Sequence, residues 1–210
     1  CENTHNMCGG MPLPISFMDD MGALCKERGL IFHVDGARVM NACAALGELP
    51  SRVCRDVDSI SVCLSKGLAA PVGSVVVGEQ DFIGRCRRYR KALGGGMRQA
   101  GVLAACGLVA LRDERLRLHE DHATLCALVQ GLAGIHPAIH ANVEKCHTNI
   151  AFFGVDGGRA GMLCARLEAE FGVRMGAKTD DVVRAVTHRE VGEKEVEMAL
   201  DAVRKVTAEW

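Results

Sequence analysis

Two side chains with chemistry to offer sit at matching places in this sequence. Lys66 closes the apolar run Val62-Cys63-Leu64-Ser65 and opens into Gly67-Leu68-Ala69-Ala70-Pro71. Asp35 closes the run Leu30-Ile31-Phe32-His33-Val34 and opens into Gly36-Ala37-Arg38. Apolar runs that short read as strands buried on both faces. Parallel strands of an open α/β sheet deliver their ends to one rim, where ligands bind, so an amine and a carboxylate are expected to share that rim. A lysine forms a Schiff base with an aldehyde, and a carboxylate keeps a ring nitrogen protonated. Pyridoxal 5'-phosphate is a cofactor that needs both.

A lysine after a strand is ordinarily a surface charge, and what sets Lys66 apart is its frame. Ser65 offers a hydroxyl, and Gly67 lets the backbone come close to an anion. Asp35 has a common alternative fate, capping the helix that follows. Arg38 lies three positions on and can reach the same space, or it faces solvent from a first helical turn. Arg184, in Val183-Arg184-Ala185-Val186-Thr187-His188, either alternates out to solvent or points into a cleft, where its fork would hold a carboxylate. The Gly94-Gly95-Gly96-Met97-Arg98-Gln99 stretch reads as a link between helices or as bare amides for an anion. His5 and His33 are the histidines nearest the expected rim, with His33 read as a packed core side chain.

The elements that must position these residues follow from periodicity. Helix is predicted over about 14–28, ended by Gly29, then over 37–46, ended by Gly47 and Pro50. Strands are expected at 58–64 and 73–78, a helix at 80–93, and a long helical region over 98–133 interrupted near Asp113. Beyond Gly134 a smaller unit is predicted, with strands near 148–155 and 182–187, a helix at 159–171 and a last helix from 193.

Composition narrows the partners. The 25 basic and 26 acidic residues of this 210-residue chain balance, so neither a nucleic-acid surface nor an acidic tail is indicated. The stretch Arg85 to Lys91 is read as a solvated helix face. Eleven cysteines spread through apolar segments, as at Cys43, Cys106 and Cys164, read as small hydrophobes in a reducing compartment and not as a disulfide scaffold. No histidine or cysteine spacing suits a metal, and no apolar stretch is long enough to span a membrane.

Read together, Glu2-Asn3-Thr4-His5-Asn6, His33 to Arg38, Cys63 to Leu68, Pro71-Val72-Gly73-Ser74, Arg90-Lys91 with Gly94 to Gln99, and Val186-Thr187-His188 resemble the threonine aldolases, in order along nearly the whole chain. That resemblance implies an aspartate-aminotransferase fold (fold type I). Its core is a three-layer, mostly parallel α/β domain represented by residues 1–112, followed over 113–210 by a linking helix and a smaller α+β domain. It implies Lys66 as the Schiff-base lysine and Asp35 as partner of the pyridine nitrogen. Ser65 and Arg38 would bind cofactor, Arg38 and Arg184 the substrate carboxylate, with His5 lining the pocket as a candidate base.

The implied reaction is retro-aldol cleavage of L-threonine or L-allo-threonine, a β-hydroxy-α-amino acid, to glycine and acetaldehyde. The implied protein is a cytoplasmic homodimer or homotetramer, an N-terminal targeting segment aside. One departure stands at the front, where the family's glycine-rich phosphate cradle and ring-stacking residue are expected before Cys1. An aminotransferase or β-eliminating lyase of the same fold, or an inactive fragment, are the alternatives.

Overall fold

The computed structural model describes all residues, Cys1–Trp210. The chain divides into two compact units, one of Cys1–His5 with Pro12–Leu118 and one of Asn6–Met11 with His119–Trp210.

In the first unit the order is α1 (Ile15–Arg28), β1 (His33–Gly36), α2 (Val39–Leu46), a short α3 (Pro50–Val53), β2 (Ser59–Cys63), β3 (Ser74–Gly78), α4 (Gln80–Ala92) and α5 (Gly101–Arg112). Both α1 and α2 stop at glycines in the left-handed region, Gly29 at φ 63° and Gly47 at φ 66°, as the sequence predicts. Met18 and Cys25 of α1, Val39 and Cys43 of α2, and Val53 pack on Val34, Ile60 and Val62 of the sheet. A second cluster of Leu64, Leu68, Ala70, Ala110 and Leu118 anchors the loop that carries Lys66.

The sheet runs β1-β2-β3. β1 and β2 are parallel, with Asp35 opposite Ser61, whereas β3 returns antiparallel to β2, which makes the sheet mixed. Only Leu64 to Gly73 separate β2 from β3, with the Leu64 amide donating to the Gly73 carbonyl at 3.0 Å. A parallel return needs a crossover of about a dozen residues or more.

Burial on both faces, expected for the run ending at Val34, is not found. Val34 and Gly36 are buried while His33 and Asp35 are exposed, and Ile31 is 78% exposed, because core packs against one side only. His33 is therefore no core residue: it lies on the open face, with Nδ1 2.8 Å from the Ser59 hydroxyl. The basic helix α4 has no fully buried side chain: Phe82, Ile83 and Cys86 are half-buried, while its arginines are exposed.

The second unit contains α6 (Leu118–Leu132) from its second residue on, β4 (Ile139–His140), β5 (Ile150–Val155), α7 (Ala160–Phe171), β6 (Gly176–Thr179), β7 (Val182–Val186) and α8 (Glu193–Thr207). Its sheet is antiparallel throughout, in the order β4-β5-β7-β6. Leu125, Leu132, Leu163, Leu167 and Val203 of the helices close over Phe153, Val155 and Val183. The Gly192 amide donates to the Glu195 carboxylate at 2.9 Å, satisfying a donor at the start of α8.

Candidate active site

Parallel pairing of β1 with β2 brings the ends of both strands to one edge of the first unit. Asp35 is fixed there through its backbone. Its amide donates to the Cys1 carbonyl at 2.8 Å, and its carbonyl accepts from the Asn3 amide at 3.2 Å, so that Glu2 bridges to Asp35 as a further parallel neighbour. Oδ1 accepts the Ala37 amide at 2.9 Å. This is a local turn and not a helix cap, since α2 is preceded by Arg38 and has no side-chain cap. Alternation puts Asp35 on the open face with Ser61 and Cys63, leaving Oδ2 for a ligand.

Lys66 sits in a closed loop. The Ala69 amide donates to the Lys66 carbonyl and the Ala70 amide to the Leu64 carbonyl, both at 2.9 Å. Ala69 takes φ +55°, a left-handed conformation costing about 1–2 kcal/mol for a residue with a Cβ; the buried Leu64 and Leu68 offset it. Gly67 is required by contact, since a Cβ there would come 3.1 Å from Leu118 and 3.2 Å from the Asn41 side chain. Lys66 itself is exposed. Gly36, Arg38, Cys63, Gly67 and neighbours line a recess of about 10 Å³. That is room for one water molecule. Asp35, Arg38, Ser65 and Lys66 thus belong to one edge.

Cys63 is a member of this edge that the sequence reading passes over. Burial pushes its thiol up. The Ser65 hydroxyl, 3.5 Å from the sulfur, then outweighs burial together with the Ser65 amide, the Ser74 hydroxyl and the Lys66 charge, and holds the thiol below its usual range. Ser65 thus faces the thiol from a place where a phosphate ligand was expected. Its spacing to Cys63, two residues along a strand end, was the available signal.

His5 also belongs to the first unit. Asn3 is fully buried, with Oδ1 accepting the Leu13 amide at 3.0 Å, and Thr4 adopts φ +56°; together they fix the turn leading to His5. Its Nε2 lies 3.4 Å from the Glu2 carboxylate, and its Nδ1 is buried with no partner.

Arg184 lies in the second unit, on β7 between Phe152 of β5 and Gly176 of β6. Val183 and Ala185 enter the core, so Arg184 takes the opposite face, where it is half-buried and not out in solvent. Nη1 donates to Oδ1 of Asn6 at 2.8 Å, and Nε is buried with no partner. A guanidinium with an unmet buried donor is suited to a carboxylate. Asn6 had no place in the sequence reading, because its partner lies 178 positions away.

Comparison with known proteins adds identity to this geometry. The family model described as beta-eliminating lyase matches residues 1–156. The chain is 42% identical over 208 residues to a probable low-specificity L-threonine aldolase 2 of Arabidopsis thaliana, covering 98% of this chain and 58% of that protein. It is 39% identical over 211 residues to a low specificity L-threonine aldolase of Escherichia coli O157:H7, covering 100% of this chain and again 58% of that one. The chain therefore spans less than two thirds of the length of these relatives. Among solved structures, a putative L-allo-threonine aldolase of Listeria monocytogenes superposes with a TM-score of 0.77 at 20% identity, over 97% of this chain and 60% of that one. A putative aromatic amino acid beta-eliminating lyase/threonine aldolase from an Exiguobacterium species reaches a TM-score of 0.80 at 19% identity, over 97% and 60%.

Proposed function

The chain belongs to the beta-eliminating lyase family, and on that premise we propose that the whole protein is a threonine aldolase that cleaves L-threonine and L-allo-threonine to glycine and acetaldehyde with pyridoxal 5'-phosphate, in line with its similarity to the curated L-threonine aldolases. The observation that carries the reading is the parallel register of β1 and β2, which brings the strand end holding Asp35 and the strand end that leads into Lys66 to one edge. The chemistry of the donor set fits the cofactor: Lys66 offers an exposed amine, and Asp35 a carboxylate with Oδ1 engaged by the Ala37 amide.

When bound, pyridoxal phosphate supplies an electron sink for the pair left on the α-carbon as a bond to it breaks. Lys66 would hold its aldehyde carbon covalently and yield that position to the substrate's amine. Asp35 would keep a proton on the ring nitrogen through a charge-assisted hydrogen bond. Arg38 and Ser65 would bind the cofactor's oxygens.

Arg184 grips the substrate's carboxylate, which fixes rotation about the α-carbon and so decides which of its bonds is cleaved. His5 takes the proton of the β-hydroxyl as the bond between α- and β-carbon opens, releasing the aldehyde. Return of a proton to the α-carbon gives glycine.

The protein is further proposed to work in the cytoplasm as a homodimer or homotetramer. No helix is long and apolar enough to cross a membrane. Leu93, Val102 and Leu108 are 86%, 77% and 70% exposed, the kind of apolar surface a second copy covers. Supplying L-threonine to the complete holoprotein should yield acetaldehyde and glycine in equal amounts. Formation of a keto acid instead would identify an aminotransferase or eliminating lyase.

A further inference from the structure

The guanidinium of Arg184 has five donors, and its hydrogen bond within the chain goes to a neutral amide. Because arginine only donates, Asn6 must turn its oxygen and not its nitrogen toward Nη1. That oxygen is well anchored. Asn6 opens the short 3-10 turn Asn6–Cys8, which the Gly9 amide closes on the Asn6 carbonyl at 3.3 Å. The buried Thr148 hydroxyl then donates to the Gly10 carbonyl at 2.8 Å. Asn6 and β7 therefore belong to the same compact unit, and the contact between them is internal to it.

A long side chain held at one nitrogen loses much of its rotational freedom before any ligand arrives, which lowers the cost of binding. A carboxylate at position 6 would hold it equally well and would cancel the charge. An amide holds it and leaves the charge uncompensated. Nε, buried and unpartnered, belongs to the edge of the fork that Nη1 does not use.

We infer that Asn6 is a positioning residue: its side-chain oxygen pins Nη1 of Arg184 so that the rest of the fork is set, still fully charged, for the carboxylate of the amino acid substrate. This rests on the reading of Arg184 as the carboxylate ligand given above.

The test compares the binding of glycine and of ethanolamine, an amine without the carboxylate, to the holoenzyme, followed by the change in cofactor absorbance. Asn6→Ala should weaken glycine about tenfold, in line with loss of a hydrogen bond to a charged group, with a matching rise in KM for threonine. Ethanolamine binding, which makes no use of the carboxylate site, should stay within about twofold of the parent enzyme. Asn6→Asp, which keeps the acceptor and guards against a variant that fails to fold, should weaken glycine at least as far. A purely structural acceptor predicts instead that Asp restores it.

Unchanged glycine binding in Asn6→Ala, equal loss of both ligands, or rescue by Asp would overturn the assignment. If Arg184→Ala also leaves glycine binding intact, the carboxylate role of Arg184 fails as well, and the two failures are told apart by that variant.

Discussion

The two sheets of this chain are built from similar apolar residues and end in opposite states. In β5 of the second unit Phe153 is 2% exposed and Val155 1%, closed over by α6, α7 and α8; in β3 of the first unit Val76 is 44% exposed and Val77 55%. A β-branched residue fits a pleated surface wherever it stands, but it stabilises only where another element lies on it. The polar side chains follow the same division. Asp35, Cys63 and Lys66 collect at the edge of the open sheet, whereas the covered sheet presents Arg184 and, at its β4 edge, His140 from the face turned away from its core. The closed sheet keeps one half-buried arginine on that face, whereas the open sheet gathers its polar groups at a strand edge.

That contrast breaks if core truncations cost the same in both sheets. Leu163→Ala, in the closed core and fully buried, should lower stability by about 2–5 kcal/mol. Val76→Ala on β3 should cost no more than about 0.5 kcal/mol. Equal denaturant midpoints for the two variants would contradict the division.

A second effect, smaller, belongs to the closed unit. Burial, with the charge of His119 adding to it, pushes His122 down from 6.5 to about 4. The unfolded chain therefore binds a proton between those values that the folded chain refuses. Stability should be flat above pH 6.5 and fall as the pH drops toward 4, by roughly 1–3 kcal/mol, and His122→Gln should flatten the curve.

The smallest effect sharpens the open side. Cys63 is held below the usual thiol range by its polar neighbours, while burial pushes Cys43 and Cys146 up to about 12. Alkylation followed by peptide mapping should label Cys63 at a lower pH than either, since the thiolate is the reacting form. Prior labelling of Cys43 would contradict the electrostatics of this edge.

Where a segment carries both its period and its stop, sequence and structure agree. Gly29 and Gly47 end their helices in the left-handed conformation, and the α8 stripe of Val196, Leu200, Val203 and Val206 is buried as its spacing implies. The placement of Asp35 at one strand end and of Lys66 just beyond another was legible because a strand end is a local signal. β6 escaped because Gly176-Ala177-Lys178 lacks β-branched character and its hairpin pairing with Val182 to Arg184 is interrupted by an irregularity between Ala177 and Thr179. His33 was misplaced because its neighbours are apolar, yet which face a strand buries is decided by what packs on it. Asn6 was invisible for the same reason, since its role exists only once β7 has been brought beside it.

The central claim is that the Lys66 amine and the Asp35 carboxylate hold one cofactor ring at this edge. Borohydride reduction of the cofactor-loaded complete protein, followed by peptide mapping, should place the pyridoxyl group on Lys66 and find none fixed in Lys66→Ala. A label on any other lysine, or a cofactor still covalently fixed in that variant, would contradict it.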